Sequence, residues 1–498
     1  MGTVSIRLTP LGKELKVKKG TSLIDVLHEY GVEFPCGGKG SCGKCAVKLL
    51  QGEIVCDTIH LNAIRKLGLG SDWRLACLSN AEEDLVLEVG QFEAMIQADE
   101  TPFEYVPAQG YGVAVDLGTT SLVAQLVELN TAKVLAVETG LNPQRKHGSD
   151  LISRLEHALS HGSAGLERMI RNELGKMLSK LLRGRHIDPD KVLLVGNTAM
   201  QHLFSGLDIK PLSYYPFESP RLEAREFSAK DLEWDIKCNH IRFCPSIGSF
   251  VGSDILAGIF ATGMWKKEAY SVLVDLGTNG EIVVGNRERL LCASTAAGPA
   301  FEGSRISSGM LATTGAISSV EGKADGITCK VIGNTPARGI CGSGLIDAVA
   351  VLLDRGKLGE FGEILSGEDQ VILQGEVGLI QKDIQEFQLA KAAIAAGLFI
   401  LLRKLGIKNE DVADIYIAGA FGTYINLTNM LRTGMMDFPM EGFHKLGNSA
   451  LMGAKMLLFT DSSTEENILS VCQHVNLESE ADFQDIFVEQ LSFNQSSS

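Results

Sequence analysis

A chain of 498 residues with a formal charge of −15 and 45% hydrophobic residues has the composition of a soluble multidomain protein, two or three domains at about 100–200 residues each. The charge excludes non-specific nucleic-acid binding, which needs a basic surface, and leaves docking to a basic partner patch open. Met1 to Arg7 runs into an alternating strand with no apolar signal core, and no run of 18 apolar residues is without a charge, so neither secretion nor a membrane span is expected.

Eleven cysteines without a secretory signal point to reduced thiols and a metal site in the cytoplasm. In chain order, residues 4–8 and 14–17 alternate around a turn and predict a hairpin. Residues 21–31 predict a helix capped by Thr21 or Ser22, with Leu23, Val26 and Leu27 as its apolar stripe and Gly31 as its stop. Next comes Cys36-Gly37-Gly38-Lys39-Gly40-Ser41-Cys42-Gly43-Lys44-Cys45, and Cys77 follows downstream, a C-x5-C-x2-C…C spacing. A cluster of two irons needs thiolates converging from one side and backbone N–H groups aimed at its sulfides, which a glycine-rich loop provides. Further strands at 45–50 and 85–89 complete a small sheet around one helix. Cys36, Cys42, Cys45 and Cys77 are therefore the expected ligands of a [2Fe–2S] cluster in a β-grasp ferredoxin domain, residues 1–90. A zinc ribbon would want a second C-x2-C knuckle, and Cys77 stands alone. Cys56 reads as an ordinary thiol. Gly38-x4-Gly43-Lys44 imitates a Walker A loop, but Cys45 stands where Ser or Thr is required, and the loop leaves a helix for a strand.

Residues 91–111 carry two prolines and no period. They read either as a tether that lets the ferredoxin module swing or as a strap pinned by Phe92, Phe103 and Tyr105.

The rest of the chain contains a repeat. Val115-Asp116-Leu117-Gly118-Thr119-Thr120-Ser121 returns as Val274-Asp275-Leu276-Gly277-Thr278-Asn279-Gly280-Glu281, each copy lying between two strands. Two similar halves follow, residues 112–270 and 271–459, with a C-terminal segment from 460 to 498. A Gly-Thr turn offers N–H groups and a hydroxyl to phosphate oxygens, and the preceding Asp reaches Mg²⁺ directly or through water. A third glycine-rich element ends the buried strand before Gly419-Ala420-Phe421-Gly422, where backbone can lie flat against an adenosine.

These three elements resemble the acetate kinase, sugar kinase, Hsp70 and actin superfamily. The resemblance implies phosphate-1 at Asp116, Gly118, Thr119 and Thr120, phosphate-2 at Asp275, Gly277, Thr278 and Asn279, and an adenosine motif at Gly419 and Gly422. It implies Mg²⁺ on Asp116 and Asp275, and a water oriented by Glu281. Together with the ferredoxin module, the full length is similar to the reductive activators of corrinoid-dependent methyltransferases. The implied fold is an α/β and α+β multidomain chain: a β-grasp [2Fe–2S] ferredoxin domain, then a two-lobed actin-like, duplicated RNase H-like ATPase.

Other stretches fit that family. Asn142-Pro143-Gln144, with Gly148, Asp150 and Arg154, precedes a helix. Asn197 and Thr198 stand at a strand-to-helix turn, where they either position the attacking water or Mg²⁺ or simply cap the helix. Gly342 and Ser343 open a helix at 345–353 and suit a nucleotide phosphate or ribose. Residues 298–310 read as an exposed loop whose Glu302, Ser304, Ser307 and Ser308 face the partner's corrin. Residues 383–404 read as a long core helix, and His147 and His202 as lacking ligand-like neighbours.

The activity implied is ATP-dependent transfer of an electron from the cluster to a cobalt(II) corrinoid, restoring cobalt(I). Plant-type clusters sit near about −400 mV. Each further ~59 mV uphill in a one-electron step is a tenfold penalty. The implied partners are a methyltransferase corrinoid protein and an upstream donor (flavodoxin, ferredoxin or reductase), with a homodimer left open. Lys39 and Lys44 would form a docking edge at the cluster rim. Two other readings stay open: ATP-gated electron delivery to a different metalloenzyme, and a redox-sensing small-molecule kinase.

Overall fold

Val4, Ile6 and Leu8 alternate with exposed or half-buried neighbours, and that period of two turns one face of the first strand into the ferredoxin core. The computed structural model describes residues 2–493 apart from 10–12, 31, 33, 35–37, 42, 44, 67–68, 90–101, 149, 278, 325, 366, 420–421 and 423. Five strands, β1 (Thr3–Thr9), β2 (Lys13–Lys18), β3 (Ala46–Gln51), β4 (Trp73–Leu75) and β5 (Leu85–Glu88), form one sheet in the order β2–β1–β5–β3–β4. β1 is antiparallel to β2, as expected for the hairpin, and parallel to β5. Helix α1 (Leu23–Leu27) buries Leu23, Val26 and Leu27 in the same core, and α2 (Thr58–Lys66) lies between β3 and β4 in the chain. The expected side-chain cap is not made. Ser22 holds the N-cap position without a cap bond, and Thr21–Ser22 pairs as a short strand with Asn80–Ala81. The Thr21 hydroxyl donates to the Lys18 carbonyl instead, at 2.7 Å. The expected stop, Gly31, lies outside the described residues.

The second half of the linker is anchored. Phe103 and Tyr105 pack on Phe459 with ring centroids 5.4 and 4.9 Å away, and the Lys455 ammonium stands 5.4 Å from the Phe103 ring. Phe92 lies outside the described residues.

The internal repeat becomes two related sheets. The first contains β6 (Tyr111–Leu117), β7 (Ser121–Glu128), β8 (Lys133–Leu141), β9 (Lys191–Val195), β10 (Arg225–Phe227) and β11 (Ile241–Phe243), in the order β8–β7–β6–β9–β11–β10. The second contains β12 (Tyr270–Leu276), β13 (Gly280–Gly285), β14 (Leu290–Thr295), β15 (Val412–Ala418), β16 (Phe443–Gly447) and β17 (Cys472–His474), in the order β16–β15–β12–β13–β14–β17. In each lobe the repeated motif joins an antiparallel pair, β6–β7 or β12–β13, and a parallel strand, β9 or β15, flanks the first of the pair. Helices α3 (Leu151–His161), α4 (Ala164–Leu182) and α5 (Thr198–Ser205) belong to the first lobe; α7 (Gly342–Asp354), α8 (Gln381–Leu405) and α9 (Leu427–Arg432) to the second.

Helix α6 (Ser253–Thr262) follows the last strand of the first lobe, and α10 (Ser449–Leu457) follows β16 in the second. They cross between the sheets, in a core that draws Val195, Leu256 and Ile259 from one lobe and Leu273, Tyr416 and Leu451 from the other. At the crossing a Cβ on Gly453 would stand 2.0 Å from the Ala257 carbonyl oxygen. Helix α8 is long and apolar enough to cross a membrane by length and composition, but 78% of its apolar window is buried within the protein. It is the expected core helix, one turn longer.

The crossing gives a direct test. Gly453→Val should cost about 1–3 kcal/mol, the usual penalty for overpacking, and lower the melting temperature of the two-lobed unit. An unchanged melting temperature would show that α6 and α10 are not in backbone contact.

Candidate active site between the two lobes

Asp116 and Asp275 are the next-to-last residues of β6 and β12, so the pseudo-repeat places both carboxylates at the same end of their sheets. The turns after them close tightly: Gly118 N–H donates to the Ser121 carbonyl at 3.0 Å and Gly277 N–H to the Asn279 carbonyl at 3.1 Å. A Cβ on Gly118 would stand 2.7 Å from that Ser121 oxygen, so only glycine fits. The two turns face a shared cavity of about 250 Å³. Its lining includes Asp116, Gly118, Thr119, Thr120, Asn197, Asp275, Gly277, Asn279, Glu281, Glu302, Gly342 and Gly419, all singled out in the sequence. Thr278 lies outside the described residues. Gly422 closes the turn after β15, its N–H donating to Gly419 at 3.0 Å.

The cavity floor is a cluster of carboxylates. Burial, the first cause at every member, pushes Asp116 up to about 6, Asp275 up to about 7 and Asp254 up to about 8. Repulsion adds to it: Asp275 feels Asp116, Asp254 feels both, and Glu281, raised well above its ordinary value, feels Asp254 and Asp275. Hydrogen bonds oppose the rise without cancelling it: Asn448 Nδ2 donates to Asp116 at 2.7 Å and Ile255 N–H to Asp254 at 2.8 Å, and Asn279 bonds to Glu281. Such a group of acids favours a cation, and the residues present fit Mg²⁺. Among the described residues no three His, Cys, Asp or Glu side chains close around one point. A metal here must therefore complete its shell with phosphate oxygens and water, as Mg²⁺ prefers.

Hydrogen bonds cross from lobe to lobe at the cavity. One is Asn448 to Asp116; another runs from Thr120 Oγ1 to Glu302 Oε1 at 3.1 Å. Glu302 thus points into the cavity, which corrects the expectation that 298–310 is an exposed loop offered to a corrin. Phe301, Ser304 and Ile306 are buried, Ser308 is half-buried, and Ser307, although exposed, donates its N–H to Asp383 Oδ1 at 2.7 Å. Gly303 and Gly309 approach neighbouring backbone too closely for any side chain, so the glycines here serve packing.

Two further expectations are corrected. Thr198 is fully buried, and its hydroxyl donates away from the cavity to the Gly248 carbonyl at 2.5 Å. Ser343 likewise donates to the Ser318 carbonyl at 2.9 Å. Asn197 caps α5, one of its two expected roles, its Oδ1 accepting from Met200 N–H at 2.9 Å, and its Nδ2 donates to Thr119 Oγ1, also at 2.9 Å. His147 does have neighbours, stacking on His157 at 4.0 Å, which stacks on His161 at 4.5 Å. His202 is held by the Asp208 carbonyl and Ser219.

Asp254 and Asn448 were not anticipated. Asp254 stands in the first turn of α6 and Asn448 at the N-cap of α10, so each follows a glycine that closes a strand-to-helix connection. The two halves match beyond their hairpins, and carrying the comparison to Gly252-Ser253-Asp254 and Gly447-Asn448-Ser449 would have exposed them.

In the ferredoxin module, Cys45 Sγ and Cys77 Sγ lie 3.3 Å apart, brought together from separate segments. Gly38 and Gly40 have φ of +85° and +69°, and a Cβ on Gly40 would stand 2.8 Å from Leu78, next to Cys77. Converging thiols under a tight glycine loop fit a cluster. Cys36 and Cys42 lie outside the described residues. Cys56 is half-buried, and burial raises its thiol.

Comparison with known proteins matches the three regions of the chain in turn. Residues 6–82 match the 2Fe–2S iron–sulfur cluster binding domain, 111–267 the RACo middle region and 269–498 the C-terminal ASKHA domain of RACo. The chain is 29% identical to the corrinoid activation enzyme RamQ of Eubacterium limosum over 96% of its own length and 97% of the relative's. It is 28% identical to the [Co(II) methylated amine-specific corrinoid protein] reductase of Methanosarcina barkeri over 72% of each chain. A solved structure, the reductive activator for corrinoid,iron-sulfur protein, superposes with a TM-score of 0.70 at 25% identity over 98% of both chains.

The raised carboxylates carry a signed pH dependence. Each binds a proton in the folded chain that it would lose when unfolded, over a window from the ordinary carboxylate range up to about 8. The nucleotide-free fold should therefore lose stability as pH rises through that window. Mg²⁺–ATP should restore it and expel protons on binding at pH 7. Calorimetry in buffers of different ionisation enthalpy reads this directly, and binding without net proton release would contradict the raised values.

Proposed function

The chain belongs to the reductive activators of corrinoid proteins, and from that premise we propose that it returns the cobalt(II) corrinoid of a methyltransferase system to cobalt(I), with ATP held between its lobes governing the transfer. The observation that carries the reading is the carboxylate-floored cavity between two hairpins of one repeat, in the same chain as a converging cysteine loop.

In this reading Asp116 and Asp275 hold Mg²⁺, and Glu281 orients water. The turns at Gly118–Thr120 and Gly277–Asn279 present donors to the phosphates. Asn197 sets the first turn through Thr119, while Gly342, Gly419 and Gly422 flank the nucleoside. When bound by Cys36, Cys42, Cys45 and Cys77, the cluster supplies one electron at a time at low potential. Nucleotide can govern delivery only if it favours one arrangement of the chain over another. The cross-lobe bonds Asn448–Asp116 and Thr120–Glu302 supply that difference, because Mg²⁺ and phosphate compete for two of their partners.

A flavodoxin, ferredoxin or reductase refills the cluster. The reading places the protein in the cytoplasm and needs no membrane, and it works with one copy or a homodimer. Lys39, exposed at the cluster rim, offers an edge to an acidic surface, joined by Lys44 outside the described residues.

ATP hydrolysis by the reduced protein should rise severalfold when a cobalt(II) corrinoid protein is added. Asp275→Asn should abolish that hydrolysis and leave the visible spectrum of the cluster unchanged. Phosphoryl transfer to a small acceptor in place of water would favour the kinase reading, and hydrolysis indifferent to every corrinoid protein would count against activation.

A further inference from the structure

The phosphate-1 turn has its back to a short segment that reaches the ferredoxin module. All three carbonyls of that turn are held by this segment. Asn142 Nδ2 donates to Gly118 O at 2.9 Å, Arg154 Nη2 to Thr119 O at 2.6 Å, and Asn142 N–H to Thr120 O at 3.0 Å. With the carbonyls drawn backwards, the opposite side of the turn is left for the cavity.

The same segment carries Lys146. Asn142 caps the single turn Pro143–His147 by accepting from Gln144 N–H at 3.0 Å. From that turn, Lys146 Nζ reaches Asp25 Oδ1 on α1 at 3.1 Å. Residues 28–30 of the ferredoxin module lie against 143–147 and β8. Asp25 is next to Ile24, whose Cδ1 stands 3.4 Å from where a Cβ of Gly38 would be. The contact is therefore made beside the cluster loop. Stacking of His147 on His157 and the bond from Gln144 Nε2 to Leu166 O at 3.0 Å hold the turn to α3 and α4, so a shift of one end is passed on to the other.

We propose that residues 142–154 couple the nucleotide cavity to a docking contact of the ferredoxin module, with Asn142 and Arg154 as the positioning residues at the cavity and Lys146–Asp25 as the dock. The proposal rests on the reading of the cavity as the ATP site. Arg154 gives the coupling its physical basis. Its guanidinium is wholly buried, is bonded to the carbonyls of Gly148 and Thr119, and makes no ion pair among the described residues. A buried cation is costly; Asp150 and Glu302 offset part of that cost from a distance, and an anion arriving in front of the turn lowers it further. Phosphate and Arg154 thus favour each other's position, and the segment between Arg154 and Lys146 feels the change.

Linkage makes the coupling reciprocal: whatever factor ATP exerts on docking, docking exerts on ATP affinity. The test uses the full-length, cluster-loaded protein and Mg²⁺–ATP, comparing Lys146→Asp, Asp25→Lys and the two together. An exposed pair is worth up to about 1 kcal/mol, so each single reversal should shift the ATP Kd by up to about fivefold, and the double swap should return it to the wild-type value. Hydrogen exchange at residues 23–30 should respond to ATP in the wild type and the swap, and not in the single reversals. Unchanged Kd in both single variants, or a shift that the swap fails to restore, would overturn the coupling. Wild-type protein that binds no Mg²⁺–ATP would instead refute the ATP reading itself.

Discussion

Four carboxylates, Asp116, Asp254, Asp275 and Glu281, meet where the two lobes face each other, and they cannot all be ionised without a cation among them. Protonation near neutral pH is the protein's own compromise. A divalent ion with a triphosphate is the better one, since it neutralises the acids and brings the oxygens that complete its shell. The proposed occupation of the cavity by nucleotide and metal together rests on this electrostatic conflict.

The scaffold places this conflict where the two lobes meet. Duplication sets Asp116 and Asp275 at matching strand ends, and α6 crosses α10 at backbone contact beneath them. The lobes are thus closely apposed at one end and joined at the other by polar bonds that ligands can exchange. Electron carriage is kept apart in a small sheet whose cluster loop lies beside the Asp25–Lys146 contact. The carrier has no need of nucleotide chemistry, and the nucleotide site has no need of a redox centre. The connection proposed between them rests on the bonds of Asn142, Gln144 and Arg154.

What was legible in the sequence was what is local in it. Cys36 to Cys45 and each copy of the Asp-Leu-Gly-Thr motif lie within a short stretch of chain, so residue type and spacing sufficed. Asp254 and Asn448 escaped notice because neither lies within a glycine-rich hairpin; the tertiary fold carries them in on helices that begin far from the repeat. Thr198 and Ser343 show the opposite limit. A polar residue at a strand-to-helix turn can point into a cavity or back into a carbonyl, and here Gly248 and Ser318 take them. At 298–310 the glycines suggested exposure, yet Gly303 and Gly309 are small because backbone passes against them. His147 found its partners on α3, where His157 and His161 are spaced four apart, a pairing visible in sequence for those two but not for His147.

The central claim, that Mg²⁺–ATP in the inter-lobe cavity governs delivery of the cluster's electron, is tested most directly by anaerobic rapid mixing. The reduced protein, freed of excess reductant, is mixed with a cobalt(II) corrinoid protein, and the cluster and cobalt(I) absorption bands are followed together. The account predicts that reoxidation of the cluster and growth of the cobalt(I) band proceed in step with Mg²⁺–ATP and stall without it. Equal rates with and without nucleotide would contradict it.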